Sequence, residues 1–167
     1  MRKEVFIGID NGVSGSIAII SKNGVVFQKT PIIKALNYTK SKQWVNRIDG
    51  LQLGDLVYEN VKSIDSVNKV CCLIERPMIN PGRWKASMSA IRALEATLIV
   101  LESISIPYSF LDSKEWQKEL LPKGCSKEEL KEASLQVAHR LFPNVNVKGK
   151  DADGLLIAEY ARRKYGK

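Results

Sequence analysis

Histidine is nearly absent from this 167-residue chain. The only one, His139, falls in a stretch with an amphipathic helical pattern, where a solvent or core-edge role is expected of it and catalysis is not. Cysteine is scarce too. Its three copies, two of them adjacent at Cys71 and Cys72 inside an apolar run, offer neither an even disulfide set nor a CxxC spacing, so they read as small core or strand residues in a reducing compartment. No apolar stretch approaches the ~20 residues needed to span a bilayer. Met1-Arg2-Lys3-Glu4 leads into a strand pattern instead of the apolar segment of a secretion signal, so the expected location is the cytoplasm, with no membrane partner. Low-complexity tracts and internal repeats are also missing, which argues against disorder as the carrier of function.

Acid is in deficit. Against 26 Lys+Arg stand 18 Asp+Glu, a net charge of +8, and such an excess favours a polyanionic partner while being equally compatible with a merely basic soluble protein. The length fits one domain over residues 1–167, large enough to bury an ordinary core without disulfides or a structural metal.

Val5 to Asp10 reads VFIGID and Ser16 to Ser21 reads SIAIIS, two β-rich runs around the glycine-punctuated turn Asn11 to Gly15, and Lys22-Asn23-Gly24 leads on to Val25-Val26-Phe27. The chain therefore opens as an antiparallel meander of three strands. Between about Tyr38 and Lys69 a polar stretch carries helical spacing at Leu53, Leu56, Val57, Asn60, Val61 and Ile64, which predicts a helix. Val70 to Ile74 is an unbroken apolar run ending in Glu75, the pattern of a central strand covered on both faces. A long helix is expected from about Lys85 to Ser103, with Met88, Ile91, Leu94, Leu98 and Leu101 on one stripe and an Ala/Ser-rich opposite side that admits close approach by another helix. A short strand over Ile106 to Leu111 follows. Ser126-Lys127-Glu128-Glu129 then reads as a capping box opening a helix that stops before Pro143, and a last helix runs from near Asp151 to Tyr165. This order predicts an α/β fold with a mixed five-stranded sheet, its first three strands antiparallel, flanked by helices.

Carboxylates at the ends of buried strands are costly unless something compensates their charge. Asp10 alone is also what a turn before Asn-Gly would hold, and Asp151 and Asp153 alone are ordinary helix N-terminal acids. Glu75 is harder to account for, since it ends a five-residue apolar run and precedes Arg-Pro. If the first and fourth strands lie side by side, Asp10 and Glu75 leave neighbouring strand ends into one cleft, and the acids opening the final helix close a cluster of oxygen ligands suited to a hard cation.

Ile7-Gly8-Ile9-Asp10-Asn11-Gly12-Val13-Ser14-Gly15, then Leu73-Ile74-Glu75-Arg76-Pro77, then Asp151-Ala152-Asp153-Gly154-Leu155-Leu156-Ile157-Ala158 resemble the three acidic motifs of the RuvC-like Holliday junction resolvases, in order and approximate spacing. The first motif is shared with sugar kinases and actin-like ATPases, and the third is the most specific. The resemblance spans nearly the whole chain and implies an RNase H-like fold. It implies a homodimeric endonuclease that binds four-way DNA junctions and nicks two opposed strands, without a nucleotide cofactor. It further implies Mg²⁺, with Mn²⁺ as the substitute, held as two ions roughly 3.5–4 Å apart so that a water attacks in line and a 5′-phosphate is left. Asp10, Glu75 and Asp153 match three of the family's four carboxylates. The family often spaces its last two acids three apart, but Lys150 stands there, so the fourth falls to Asp151, reaching from a non-helical N-cap conformation because residues two apart on a helix do not face the same way.

Lys114 and Lys131, the latter with Ser134 beside it, fall where the resemblance puts phosphate-contacting residues. Lys148 and Lys150 are further candidates, and Arg76, Arg83 and Lys85 with Trp84 form a basic and aromatic loop expected to border the cleft. Trp116 reads as core. The Ala/Ser-rich face around Ser89, Ala93 and Ala96 offers a place for a dimer, and drift from the cellular pattern suggests a phage-encoded member acting in an infected cell. Three rivals remain. An RNase H-like enzyme on another substrate shares the strand order, and a non-catalytic DNA-binding module on the same fold has no need of the acids. An actin-like or sugar-kinase ATPase needs a second domain and phosphate loop that 167 residues do not supply.

Overall fold

The computed structural model describes residues 2–126, 128–147 and 151–166. Strands β1 (Val5–Ile9), β2 (Ser16–Ser21) and β3 (Gly24–Lys29) form the expected meander, with Phe6 opposite Ile20 and Ile17 opposite Gln28. A two-stranded hairpin, β4 (Ile32–Leu36) and β5 (Trp44–Ile48), comes next and forms its own sheet. It leads to α1 (Gly50–Val61), capped by the Asp49 side chain, which accepts a hydrogen bond from the Gln52 amide at 3.1 Å. The helix expected within Tyr38–Lys69 is thus confined to the second part of that stretch. The hairpin escaped notice because Ile32, Ile33, Leu36 and Trp44 are all exposed, so its strands lack the half-buried alternation that reveals a strand.

The chain continues through β6 (Val70–Glu75), α2 (Trp84–Ser103), β7 (Tyr108–Leu111), α3 (Ser113–Leu120), α4 (Leu130–Leu141) and α5 (Asp153–Tyr165). Strands run β3-β2-β1-β6-β7, and the last two are parallel to β1, with Ile9 beside Ile74 and Glu75 beside Leu111. This is the mixed five-stranded sheet read from the element order. The Ser126–Glu129 capping box forms, since the Glu129 side chain accepts from the Ser126 amide at 2.7 Å, although regular helix starts at Leu130.

Period-two alternation sends Val5, Ile7 and Ile9 to one face, where Leu53 and Val57 of α1 and Ala93 and Leu101 of α2 cover them. Phe6, Ala18, Ile20 and Leu73 face the opposite layer of α3, α4 and α5. On α2 the deeply buried residues are Ser87, Ala93, Thr97 and Leu101, while Ile91 of the expected apolar stripe is exposed. Small residues win the inward positions because α2 lies close against its neighbours: a Cβ on Gly50 of α1 would come within 3.3 Å of Val100.

Helix α5 is the keystone of the second layer. Leu155, Leu156 and Ile157 are fully buried, each stabilising the fold by about 1.5–3 kcal/mol. It lies directly on the backbone of β1 and β2, which requires two glycines. A Cβ on Gly8 would sit 2.2 Å from the Ala158 nitrogen, and one on Gly154 would sit 2.5 Å from the Ser16 carbonyl oxygen. That contact fixes where the start of α5 must lie.

Candidate metal centre

Because β1 and β6 are parallel and in register, Asp10 and Glu75 leave the sheet at the same end, one strand apart. Strand β2 runs the other way, so Ser16 at its start lies at that end as well, and its hydroxyl accepts a hydrogen bond from the Gly154 amide at 3.0 Å. This pins the N-terminus of α5 beside Asp10. Carboxylate oxygens of Asp10, Asp151 and Asp153 all lie within 4.8 Å of one another, the only such set of metal-ligating side chains among the described residues.

Asp151 precedes the helix, and one of its oxygens accepts the Asp153 amide at 3.2 Å. That turn lets two acids only two positions apart converge, which a helical pair would not do. Its other oxygen, Oδ2, is buried without a hydrogen-bond partner. Glu75 stands just outside the tight set of three, with Oε2 held at 2.9 Å by the indole N–H of Trp116. Trp116 is fully buried, as expected of a core residue, and this bond satisfies its one polar atom. Its role beside Glu75 was not read from the sequence: a buried tryptophan usually finds an acceptor, but only the fold shows which one.

The acids burden one another. Burial, then the charges of Asp151, Glu75 and Asp153, push the Asp10 carboxyl up to about 8. Burial raises Glu75 to about 7, opposed by the Trp116 hydrogen bond and reinforced by Asp153, Asp112 and Asp151. Asp151 and Asp153 are also raised, chiefly by burial. The cations pulling the other way are Lys131, which acts on Asp10, Asp151 and Asp153, and Lys29, which acts on Asp151. Ser134 lowers Asp153 as well. Lys29 and Asp112 carried no signal in the sequence, because each touches the cluster only through the fold.

These residues fit a divalent cation. The donors are all carboxylate oxygen, the hard ligands that Mg²⁺ and Mn²⁺ take, and the unpartnered Asp151 oxygen with four mutually repelling acids describes a site short of positive charge. Of the other sequence candidates, the exposed Lys131 on the first turn of α4 is near enough for its charge to favour ionised Asp10, Asp151 and Asp153. Lys114, on α3, is exposed and lines a hollow with Lys118 and Lys123. Arg76 is exposed after Glu75, 5.9 Å from the centre of the Phe110 ring. Arg83 and Lys85 are exposed around the equally exposed Trp84, but only Arg83 precedes α2, at the end of a short 3-10 turn, while Trp84 and Lys85 open the helix itself; the segment before them is clipped to α2 by the Ser87 hydroxyl, which accepts from the Asn80 amide at 2.9 Å. Lys148 and Lys150 lie outside the described residues. Ser89, Ala93 and Ala96 line a groove of about 270 Å³ together with Asn46–Ile48.

No protein-family model matches the sequence, and no curated protein does. Solved structures do. RuvC from Thermus thermophilus in complex with a Holliday junction substrate superposes with a TM-score of 0.61 at 16% identity, covering 97% of each chain. A further Thermus thermophilus RuvC structure gives 0.49 at 15% identity, over 96% of this chain and 97% of the other. The first of these shows the fold to be the RNase H-like fold of RuvC, as the motifs imply. The expected phage origin has no support in this likeness, which is one of fold.

Proposed function

We propose that this chain is a metal-dependent endonuclease that resolves four-way junctions or other branched DNA. The observation that carries the reading is the convergence of Asp10, Asp151 and Asp153 within 4.8 Å, with Glu75 one strand over, on a fold shared with a resolvase solved on such a junction. Asp10, Glu75, Asp151 and Asp153 are the proposed catalytic and metal-holding residues. Held by these four carboxylates, two Mg²⁺ or Mn²⁺ would supply an activated water and neutralise charge at the scissile phosphate.

The chain's own groups do the rest. Trp116 holds one Glu75 oxygen and so fixes which way the carboxylate faces. Lys131 offsets acidic charge that would otherwise repel a phosphodiester, and the exposed Arg76, Arg83, Lys85 and Lys114 offer contacts to the DNA backbone. A homodimer brings two such sites to opposed strands of one junction, which paired nicking requires. Three free cysteines suit the reducing cytoplasm in which we place this nuclease domain; among the described residues no helix is long and apolar enough to cross a membrane.

Labelled four-way junction, fork and linear duplex, incubated with and without Mg²⁺, test the reading. Paired, metal-dependent nicks confined to branched DNA and lost in Glu75→Gln and Asp153→Asn are expected. ATP turnover without DNA cutting would instead favour the kinase-like rival, and junction binding without cutting would favour the non-catalytic one.

A further inference from the structure

The β4–β5 hairpin contributes no residue to the acidic centre. It stands apart from the main sheet, and an isolated pair of strands in water is marginal unless something secures it. Here both ends are secured. At its base the Thr30 amide donates to the Gly15 carbonyl at 3.0 Å, on the loop that carries Asp10, and Ile48 is buried in the core. At its tip the Asn37 side-chain oxygen accepts from the amides of Thr39 and Gln43 and from the Thr39 hydroxyl, closing the loop that presents Tyr38, Lys40 and Lys42. A defined arm therefore rises from the rim of the acidic cleft.

Its surface is unusual in two ways. Tyr38 is 87% exposed and Trp44 69% exposed, a large aromatic cost in water for a part that packs little. From Asn11 to Ile48 the sequence holds no Asp or Glu, yet carries Lys22, Lys29, Lys34, Lys40, Lys42 and Arg47. Lys34 and Trp44 share a face of the hairpin around a hollow with Asn46, and Lys29 at its root is near enough to pull on Asp151. Cations thus run from the acids outward along the arm.

We infer that this hairpin is a second DNA-contacting element, binding unpaired or unstacked nucleotides next to the branch point by stacking bases on Trp44 and Tyr38 and pairing phosphates with Lys34, Lys40 and Lys42. It rests on the nuclease reading only for the source of the strand. The rival occupant, a second copy of the chain, is disfavoured by charge: a two-fold interface sets a surface against itself, and this one would press lysines together with no acid between them. Exposed aromatics among cations are what a single strand takes, since every base offers a face to stack.

Fluorescence anisotropy with labelled oligo-dT, duplex and four-way junction, in EDTA so that nothing is cut, tests the assignment on the full chain. Trp44→Ala is expected to weaken oligo-dT and junction binding about tenfold while leaving the duplex nearly unchanged, the loss typical of one stacked base. The triple variant Lys34→Gln, Lys40→Gln, Lys42→Gln should reduce the slope of log K against log salt on oligo-dT by about 2. All of these side chains are exposed, and a thermal melt checks that both variants fold. Wild-type affinity for every probe in both variants would overturn the assignment, and so would a Trp44→Ala chain that loses dimerisation in sedimentation velocity and binding to all three probes alike. If the wild type nicks junctions while the hairpin variants bind normally, this inference fails and the nuclease reading stands. If oligo-dT binding depends on Trp44 but no junction is cut with Mg²⁺, the reverse holds.

Discussion

Replacing Trp116 by Phe removes one N–H from the acidic centre and little else. The ring still fills most of a fully buried site among Leu120, Leu121 and Val137, so the packing loss is roughly 1–2 kcal/mol, well below a truncation to alanine. The Glu75 carboxylate loses its 2.9 Å donor. A hydrogen bond to a charged group contributes about 1.5–3 kcal/mol, and losing a partner that orients a metal ligand usually costs 10–100-fold in affinity. We expect the lower end, about tenfold weaker Mn²⁺ binding near neutral pH, because the cation itself compensates part of the freed charge. The sign follows from the proton. Trp116 lowers a Glu75 carboxyl that burial has raised to about 7, so without it the group is protonated over more of the neutral range and competes harder with metal. Calorimetric Mn²⁺ titrations at pH 7 and pH 9 should then show a loss that shrinks at the higher pH, where Glu75 is ionised in both chains. Leu120→Ala, destabilised by about 2–5 kcal/mol in the same core, controls for packing. An unchanged affinity, or a loss in Leu120→Ala equal to that in Trp116→Phe, would refute the positioning role.

The same carboxylates set the stability of the metal-free chain. Asp10 and Glu75 keep their protons to about 8 and about 7 when folded, against about 4 when unfolded, so the folded state binds more protons between those values and stability falls as pH rises through them. Melting of the EDTA-treated chain should therefore drop from pH 5 to pH 8, and Mn²⁺ should restore it most at pH 8; a flat profile counts against the burial of these groups. Lys131→Gln removes a charge that lowers Asp10, Asp151 and Asp153, and should move the pH midpoint of Mn²⁺ binding upward in the same titrations. Gly8→Ala places a methyl 2.2 Å from the Ala158 nitrogen, which should cost about 1–3 kcal/mol in denaturant melts and weaken metal binding by displacing Asp153 from Asp10. A Gly8→Ala chain with wild-type stability would mean that α5 does not ride on the β1 backbone.

What could be read in the sequence was what local pattern determines. The Val70–Ile74 run declared a central strand, and placing it beside β1 sent Asp10 and Glu75 out at one end, as the parallel register has it. Helix α3 carried a local signal that went unread: Asp112 and Glu115 form a capping box over a segment too short for periodicity to stand out. The β4–β5 hairpin had no such signal. Strand patterns are legible because one face is buried, and a hairpin whose apolar side chains mostly face water has no buried face to declare itself. The centre divides along the same line. Its acids were legible through their motifs, whereas Trp116, Lys29 and Asp112 meet it only after the chain has folded, from 41, 122 and 37 positions away in sequence from the acid each one acts on. Motifs therefore find the acids, and only the fold supplies the neighbours that tune them. Trp116 and the hairpin are for that reason where experiment on this chain will be most informative.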